Sequence, residues 1–418
     1  MTDLSTLRLV IAGSFGYRDI GDEAMLTEDL RFIHEDLGIR PQNVTLFGQD
    51  TEYLARYHGH PQENCLQSRR LERLGELTAI RELGLIRGTT RYIRTVREGR
   101  LLRGLDRSLS RVLAQADAAL ITGGGTINTR DARGYSLQRM AAIVTAFRRY
   151  RLPLFISGQT IGPLGEHSHH DLMAKEIVET ADVLTVRDRH YSRRYLDLIG
   201  AAPRELIETF DDAYTLDHTR CSLTDETAQF LDTGEDPAVV VNVTEYTSDT
   251  FADRAHIARL CDWLLARGDR ILLLSHTPRD QVRLFQIHDM IDPTCRDRVH
   301  LPDAREWTGA QLKQAISRCR LAIGGRYHFV VFAGTTDTPF VGMAGNHYSY
   351  VKQHGFADPI GLSRFVLTER ETRDFDTLIG RVREAEALTP NNASRFTRPS
   401  VSMKRFGNWL TDVATRRP

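Results

Sequence analysis

LAIGGRYHFVVFA, residues 321–333, runs from a short apolar strand through a double glycine into an apolar helix, with a fixed positive charge and a titratable ring at the junction. Burying an arginine or a histidine without a partner costs several kcal/mol. Arg326 and His328 are therefore either satisfied within a core or turned toward a site. Gly324 and Gly325 end the strand, and Arg326, Tyr327 and His328 open the next helix. A strand, a glycine turn and a helix in succession are the unit of parallel α/β sheets, where ligands meet the carboxyl ends of the strands.

Working outward, similar apolar runs recur along the chain. The first half offers Leu7–Gly13, Asn43–Gly48, Ala118–Gly124, Leu152–Gly158 and Val183–Asp188. The second half offers Ala238–Val243, Arg270–Ser275, Val299–Pro302, Leu321–Gly325 and Pro339–Ala344. The runs are continuous, not alternating, which is the pattern of parallel strands covered on both faces. Amphipathic helical segments lie between them. The expected class is α/β, with two doubly wound Rossmann-like domains facing a cleft. The first domain takes residues 1–217, with an Arg- and Leu-rich helical insert at about 69–111, and the second takes residues 237–395. The polar stretch 218–236 reads as a linker. The tail, 396–418, holds a helix around Lys404–Thr415 expected to pack back on the first domain. The basic insert is read as a solvated helical face, or as a surface for an anionic acceptor, partner or lipid headgroup.

A chain of 418 residues is too long for one ordinary core and suits two domains of about 200 residues each. The 55 basic and 55 acidic residues cancel, so no global field recruits nucleic acid or a membrane surface. The N-terminus lacks a basic and apolar leader, and no run reaches the about 18 apolar residues of a spanning helix. Cys65, Cys221, Cys261, Cys295 and Cys319 are odd in number and carry no metal or disulfide spacing, which fits reduced thiols in a cytoplasm. The sequons at Asn242 and Asn392 read as chance matches.

Glycine turns recur at strand ends: IAGSFGYRDIGDEAML (11–26), ITGGGTIN (121–128), ISGQTIGPLG (156–165) and IGGRYHF (323–329). Glycine admits close backbone approach, and the following helix N-terminus favours an anion. None is a dinucleotide fingerprint or a P-loop. Arg326 adds a forked donor suited to carboxylate or phosphate. His328 can move a proton near neutral pH. Alternatively His328 bonds a carbonyl and Arg326 a core acid. Arg187 ends a first-domain strand and either faces a ligand or belongs to an Arg187–Asp188 cap or surface pair. Asp22 and Glu23 open a helix, as ordinary N-terminal acids or with Asp22 as a base for a sugar hydroxyl. His276 sits at another strand end, as a ligand contact or a satisfied loop histidine.

Together these motifs resemble the polysaccharide pyruvyl transferase family. The match runs through Gly13–Ala24, Gly123-Gly124-Gly125-Thr126, Gly158–Pro163 with Gln159, Thr185–Asp188, Asp211–Leu216, Ser275-His276 with Asp280, Gly324–His328 and Pro339–Gly342. Asp19 stands where that family usually has Asn, and Arg130 and Asp131 follow the triple glycine in a less typical way.

The resemblance implies a two-domain fold like that of GT-B glycosyltransferases. It implies phosphoenolpyruvate as donor and a pyruvate ketal on two hydroxyls of a sugar, in a glycan, a glycolipid or a related metabolite. Arg326 and Arg187 then grip the donor, His328 donates the proton, and Lys352 either faces the donor or is a solvated lysine. Gly123, Gly124, Gly125, Thr126, Gln159, Gly324, Gly325 and His276 complete the expected substrate contacts. No metal or other cofactor is called for. The rival readings are a GT-B glycosyltransferase using a nucleotide sugar and a non-catalytic glycan-binding homologue.

Overall fold

The computed structural model describes residues 3–82, 103–129, 135–164, 168–188, 190–234, 237–388 and 401–416. The strands are β1 Leu9–Gly13, β2 Val44–Gly48, β3 Cys65–Gln67, β4 Ala118–Thr122, β5 Leu154–Gln159, β6 Val183–Val186 and β7 Leu206–Glu208, then β8 Val239–Val241, β9 Ile271–Leu273, β10 Val299–His300, β11 Leu321–Gly324, β12 Phe340–Met343 and β13 Val366–Leu367. They form a seven-stranded sheet of order β3-β2-β1-β4-β5-β6-β7 and a six-stranded sheet of order β10-β9-β8-β11-β12-β13. Every pairing is parallel. Every residue of β1, β4, β5 and β6 is buried, which is why these strands read as unbroken apolar runs.

The expected runs all become strands, most of them trimmed at their ends, with β5 running one residue further, to Gln159. The sequence reading lacks β3, β7 and β13. All three are edge strands, of three, three and two residues. β3 and β7 keep partly exposed residues, and β13, though buried, is only two residues long, too short to form an apolar run.

The chain divides into two compact units. The first holds Met1–Tyr17, Asp29–Phe210 and Ser400–Pro418, and the second holds Arg18–Glu28 and Asp211–Pro399. The stretch read as a linker is partly helical. Helix Asp225–Asp232 buries Thr227 and Leu231, and Thr227 Oγ1 lies 2.9 Å from His300 Nε2. Its buried face is only Thr227 and Leu231, one of them polar, too little to stand out in a polar segment. Of the Arg-rich insert, residues 83–102 lie outside the described residues, as do Arg130, Asp131 and Asn392.

In the first unit, helix Val401–Thr415 lies on β5. Phe406 and Trp409 meet Phe155 at ring-centroid distances of 5.3 and 5.5 Å. Ser402 Oγ bonds Ser157 Oγ at 2.6 Å and Thr185 Oγ1 at 2.9 Å, and Arg405 grips Glu205 through two bonds of 2.7 Å. In the second unit, the buried Lys313 donates to the carbonyls of Tyr214 and Leu216 at 2.8 and 3.0 Å. It thereby fastens the segment that begins at Asp211.

Candidate active site

In each sheet the strand order reverses once, between β1 and β4 and between β8 and β11. The carboxyl ends of strands at such a reversal leave a crevice where ligands bind. In the second unit, Asn242 follows β8, His276 follows β9 and Arg326 follows β11. Gly324 and Gly325 are required there. A Cβ on Gly324 would stand 2.6 Å from the Phe329 ring and 2.9 Å from Asn242 Cβ, and one on Gly325 would stand 3.1 Å from Thr244.

Arg326 caps helix Tyr327–Thr335, every residue of which is buried. Phe329, Val330, Val331 and Phe332 are fully buried. Each such side chain contributes about 1.5–3 kcal/mol, enough together to carry a histidine into the core. The Arg326 guanidinium does not stand open as a grip. Asp280, fully buried, takes a forked pair of bonds from Nε (2.9 Å) and Nη2 (2.7 Å). Glu245 accepts from Nη2 at 2.9 Å, and Asp19 lies 3.8 Å from Nη1. Burial opposes the charge on Arg326, and Asp280, Asp19 and Glu245 more than offset it, so the guanidinium is held above its ordinary pKa. The alternative of a core acid on Arg326 is what the structure contains, with two further carboxylates around it.

His328 lies 3.4 Å from the buried Asp211 Oδ2 through Nε2. Its Nδ1 edge rests on the start of helix Ile20–Arg31, where a Cβ on Gly21 would come within 1.9 Å of Nδ1. Only glycine fits that contact. Asp19 closes this helix start, accepting from Gly21 N at 3.1 Å, and Ile20 N donates to the His276 carbonyl at 3.1 Å. Burial pushes the Asp19 carboxyl up, but Arg326, His328, His276 and Lys352 together hold it below its ordinary value. Asp19 is thus one of the carboxylates among these groups; Asp22 is half-buried in the first helical turn. Lys352 Nζ stands 5.1 Å from the Tyr327 ring centre and 4.8 Å from that of Tyr348, within cation–π range. His276 is buried, and burial drives its pKa down to about 3.

In the first unit, the triple glycine follows β4. Gly123 and Gly125 have φ of +82° and +78°, and a Cβ on Gly124 would strike the Arg187 guanidinium at 2.3 Å. Arg187, 2% exposed, donates from Nε to Thr160 Oγ1 at 3.0 Å. Asp188 is buried beside Arg187 and accepts from Ser192 N, in the first turn of helix Tyr191–Leu198, at 2.8 Å. The Gln159 amide is engaged within the protein at both ends. Its Nε2 donates to the carbonyls of Gly123 (3.3 Å) and Ser157 (3.0 Å), and its Oε1 accepts from Thr126 N (3.4 Å) and Oγ1 (3.1 Å). An amide so engaged has no capacity left for a substrate. Gln159 braces the glycine turn, and Thr126 is part of that brace.

Compared with known protein families, residues 45–347 match the one described as Polysaccharide pyruvyl transferase. The chain belongs to the polysaccharide pyruvyl transferase family. No curated protein matches it. Among solved structures it is similar to the UDP-GlcNAc 2-epimerase of Methanocaldococcus jannaschii, with 12% identity, TM-score 0.59 and coverage of 97% of this chain and 100% of that one. It is also similar to Anabaena Alr3699/HepE in complex with UDP and glucose, with 12% identity, TM-score 0.57 and coverage of 97% and 100%. The Neisseria meningitidis UDP-GlcNAc 2-epimerase bound to UDP-GlcNAc gives 12% identity, TM-score 0.55 and coverage of 97% and 100%. These likenesses show the fold, a GT-B-like pair of Rossmann-like units.

The residues matched to the pyruvyl transferase family include Arg187, Asp211, His276, Asp280, Arg326 and His328, while Asp19, Gly21, Asp22 and Lys352 lie outside them. Asp19, Asn242 and Glu245 had no role in the sequence reading, and Asp211 and Asp280 appeared only as motif letters. Among the described residues, no cluster of three His, Cys, Asp or Glu side chains could hold a metal ion, and no helix is long and apolar enough to cross a membrane.

Proposed function

We propose that this pyruvyl transferase moves the enolpyruvyl group of phosphoenolpyruvate onto two hydroxyls of a sugar, leaving a pyruvate ketal and phosphate. The observation that carries this reading is His328 in ion-pair range of the buried Asp211, two residues past Arg326 at a helix N-terminus. The Asp211 carboxylate holds the imidazole in place, and a histidine ring so positioned can serve as a general acid. His328 protonates the methylene carbon of the donor, and the central carbon becomes oxocarbenium-like. One sugar hydroxyl attacks that carbon and returns its proton to His328. The carbon–oxygen bond to phosphate breaks, the second hydroxyl closes the ketal, and its proton leaves with phosphate. One hydroxyl proton thus ends on the new methyl group and the other on phosphate, without an oxidant or reductant.

Arg326 holds the anion through Nη2, with Glu245 (29% exposed) the exchangeable partner and the fully buried Asp280 the permanent one. Lys352 supplies a second positive charge. In the first unit, Arg187 and the Gly123–Gly125 turn are proposed to bind an anionic or hydroxyl group of a substrate. A free or lipid-linked sugar is the acceptor class. Five free cysteines support a cytoplasmic setting.

Thermal unfolding with phosphoenolpyruvate, phosphate, pyruvate and a panel of nucleotide sugars tests the donor. A ligand at about 100 times its Kd adds roughly 2.7 kcal/mol, a rise of a few degrees. A rise specific to phosphoenolpyruvate supports the proposal. A rise with a nucleotide sugar and none with phosphoenolpyruvate would replace it with a glycosyltransferase.

A further inference from the structure

The two histidines of the second-unit site have opposite partners, and the hydrogen bonds around Asn242 decide what His276 can do. The backbone N–H of Arg326 donates to Asn242 Oδ1 at 3.1 Å. A backbone N–H cannot accept, so this bond fixes which end of the Asn242 amide is oxygen. The amide nitrogen then carries two hydrogens. One goes to the Leu274 carbonyl at 2.7 Å, and the other faces His276 Nδ1 at 3.3 Å. His276 Nδ1 must therefore be an acceptor, and the ring proton must sit on Nε2. That Nε2 is buried and has no hydrogen-bond partner within the protein. A buried donor of this kind costs about 1–3 kcal/mol unless something accepts from it.

The charged groups around the ring come from three segments: Asp19 from the turn before helix Ile20–Arg31, Arg326 and His328 from the turn after β11, and Asp280 from the turn of His276 itself. The Phe329 and Phe332 rings, with centroids 6.0 and 6.5 Å away, keep the site dry. From these contacts we infer that Asn242 locks His276 as the neutral Nε2–H tautomer, and that this N–H is a fixed donor to an anionic oxygen of the bound donor substrate. His276 binds and polarises; His328 transfers the proton. A neutral imidazole donor of this kind leaves the proton inventory of the site unchanged. Burial, which disfavours the imidazolium, acts in the same direction. The anion named here rests on the reading of phosphoenolpyruvate as donor.

The test separates the two ideas. Full-length protein labelled with 15N-histidine is followed by long-range proton–nitrogen correlation, with His276→Gln identifying the signal among 15 histidines. The expected result is one neutral, Nε2-protonated tautomer from about pH 5.5 to about pH 8, and a shift of Nε2 on adding phosphoenolpyruvate. An Nδ1–H tautomer, or protonation within that window, overturns the inference. So does a phosphoenolpyruvate-induced rise in Tm with an unmoved His276. If phosphoenolpyruvate raises no Tm, the proposed donor fails, and inorganic phosphate becomes the probe. A shift of Nε2 with phosphate then sustains the donor role, and none ends it. Among variants, His276→Phe is expected to weaken ligand binding about tenfold or more, and His276→Gln, whose amide N–H reaches the same place, to restore most of it. Asn242→Asp is expected to protonate the ring within the window; a ring left neutral and Nε2-protonated would show that Asn242 does not set the tautomer.

Discussion

Two arginines stand at the carboxyl ends of two strands, Arg187 after β6 and Arg326 after β11, and they are held in different ways. Arg187 lies flat on a glycine and bonds a hydroxyl through Nε. Arg326 is clamped by a buried carboxylate and surrounded by two more. The same residue type after the same kind of strand rests on a glycine turn with the charge of Asp188 beside it in one unit, and is clamped in a network of three carboxylates in the other. The difference teaches that an arginine in a strand-end motif is not by itself an open anion grip; its carboxylates decide how much of it a ligand can reach.

The sharpest break in that comparison comes from the ring beside Arg326. His328→Gln is expected to lower kcat by roughly 10²–10⁴ while keeping the phosphoenolpyruvate-induced rise in Tm. Near-normal turnover with a working acceptor would remove His328 from the chemistry.

Next in size is stability in urea. Arg326→Met leaves Asp280 buried and unpaired, at a cost of about 3–5 kcal/mol. Arg187→Met removes the bond to Thr160 and the attraction to Asp188, at about 1.5–3 kcal/mol. The reverse order would make Arg187 the structural arginine.

A methyl group tests each glycine contact. Gly124→Ala presses on Arg187 and Gly21→Ala on His328, each costing about 1–3 kcal/mol by overcrowding. Only the Gly21 variant is expected to lose kcat beyond its loss of stability, read after normalising for folded protein. Equal losses of kcat would mean that the ring of His328 tolerates displacement.

The smallest expected effect is Asp19→Asn. It removes one negative charge near the anion, worth about 1 kcal/mol, or roughly fivefold tighter phosphoenolpyruvate binding by calorimetry. Because the Asp19 carboxyl is held below its ordinary value, the gain persists at every pH above about 4 and fades as acid protonates the wild-type residue. The same depression means that Asp19 supports folding above the unfolded carboxylate range and loses that contribution as pH falls through its folded value. A wild type and a variant with identical acid unfolding would contradict this.

The sheets were legible because their central strands are buried on both faces and read as unbroken apolar runs. Three of the four edges were not, since β3, β7 and β13 are two or three residues long; the fourth, β10, stood out through its run Val299–Pro302. The turn after β11 was legible because a charge, a ring and two glycines interrupt an apolar stretch. Its partners were not. Asp280 and Glu245 look like ordinary residues of a helix start, and Asp211 lies 115 to 117 positions before Arg326 and His328 in a polar segment. Asn242 resembled a chance sequon, although it is fully buried with its amide engaged at both ends. The grouping of Arg18–Glu28 with the second unit is likewise invisible to a reading that follows chain order. Sequence shows anomalies within one segment; it does not show which distant segments meet.

Helix Val401–Thr415 gives the order of synthesis a consequence for folding. The Phe155 face of β5, with Ser157 beside it, is covered by a helix made some 240 residues later. While the ribosome is still translating the second unit, that face has no cover. The nascent first unit therefore waits, with an aromatic surface open to chaperones and to neighbouring nascent chains, until its last helix emerges.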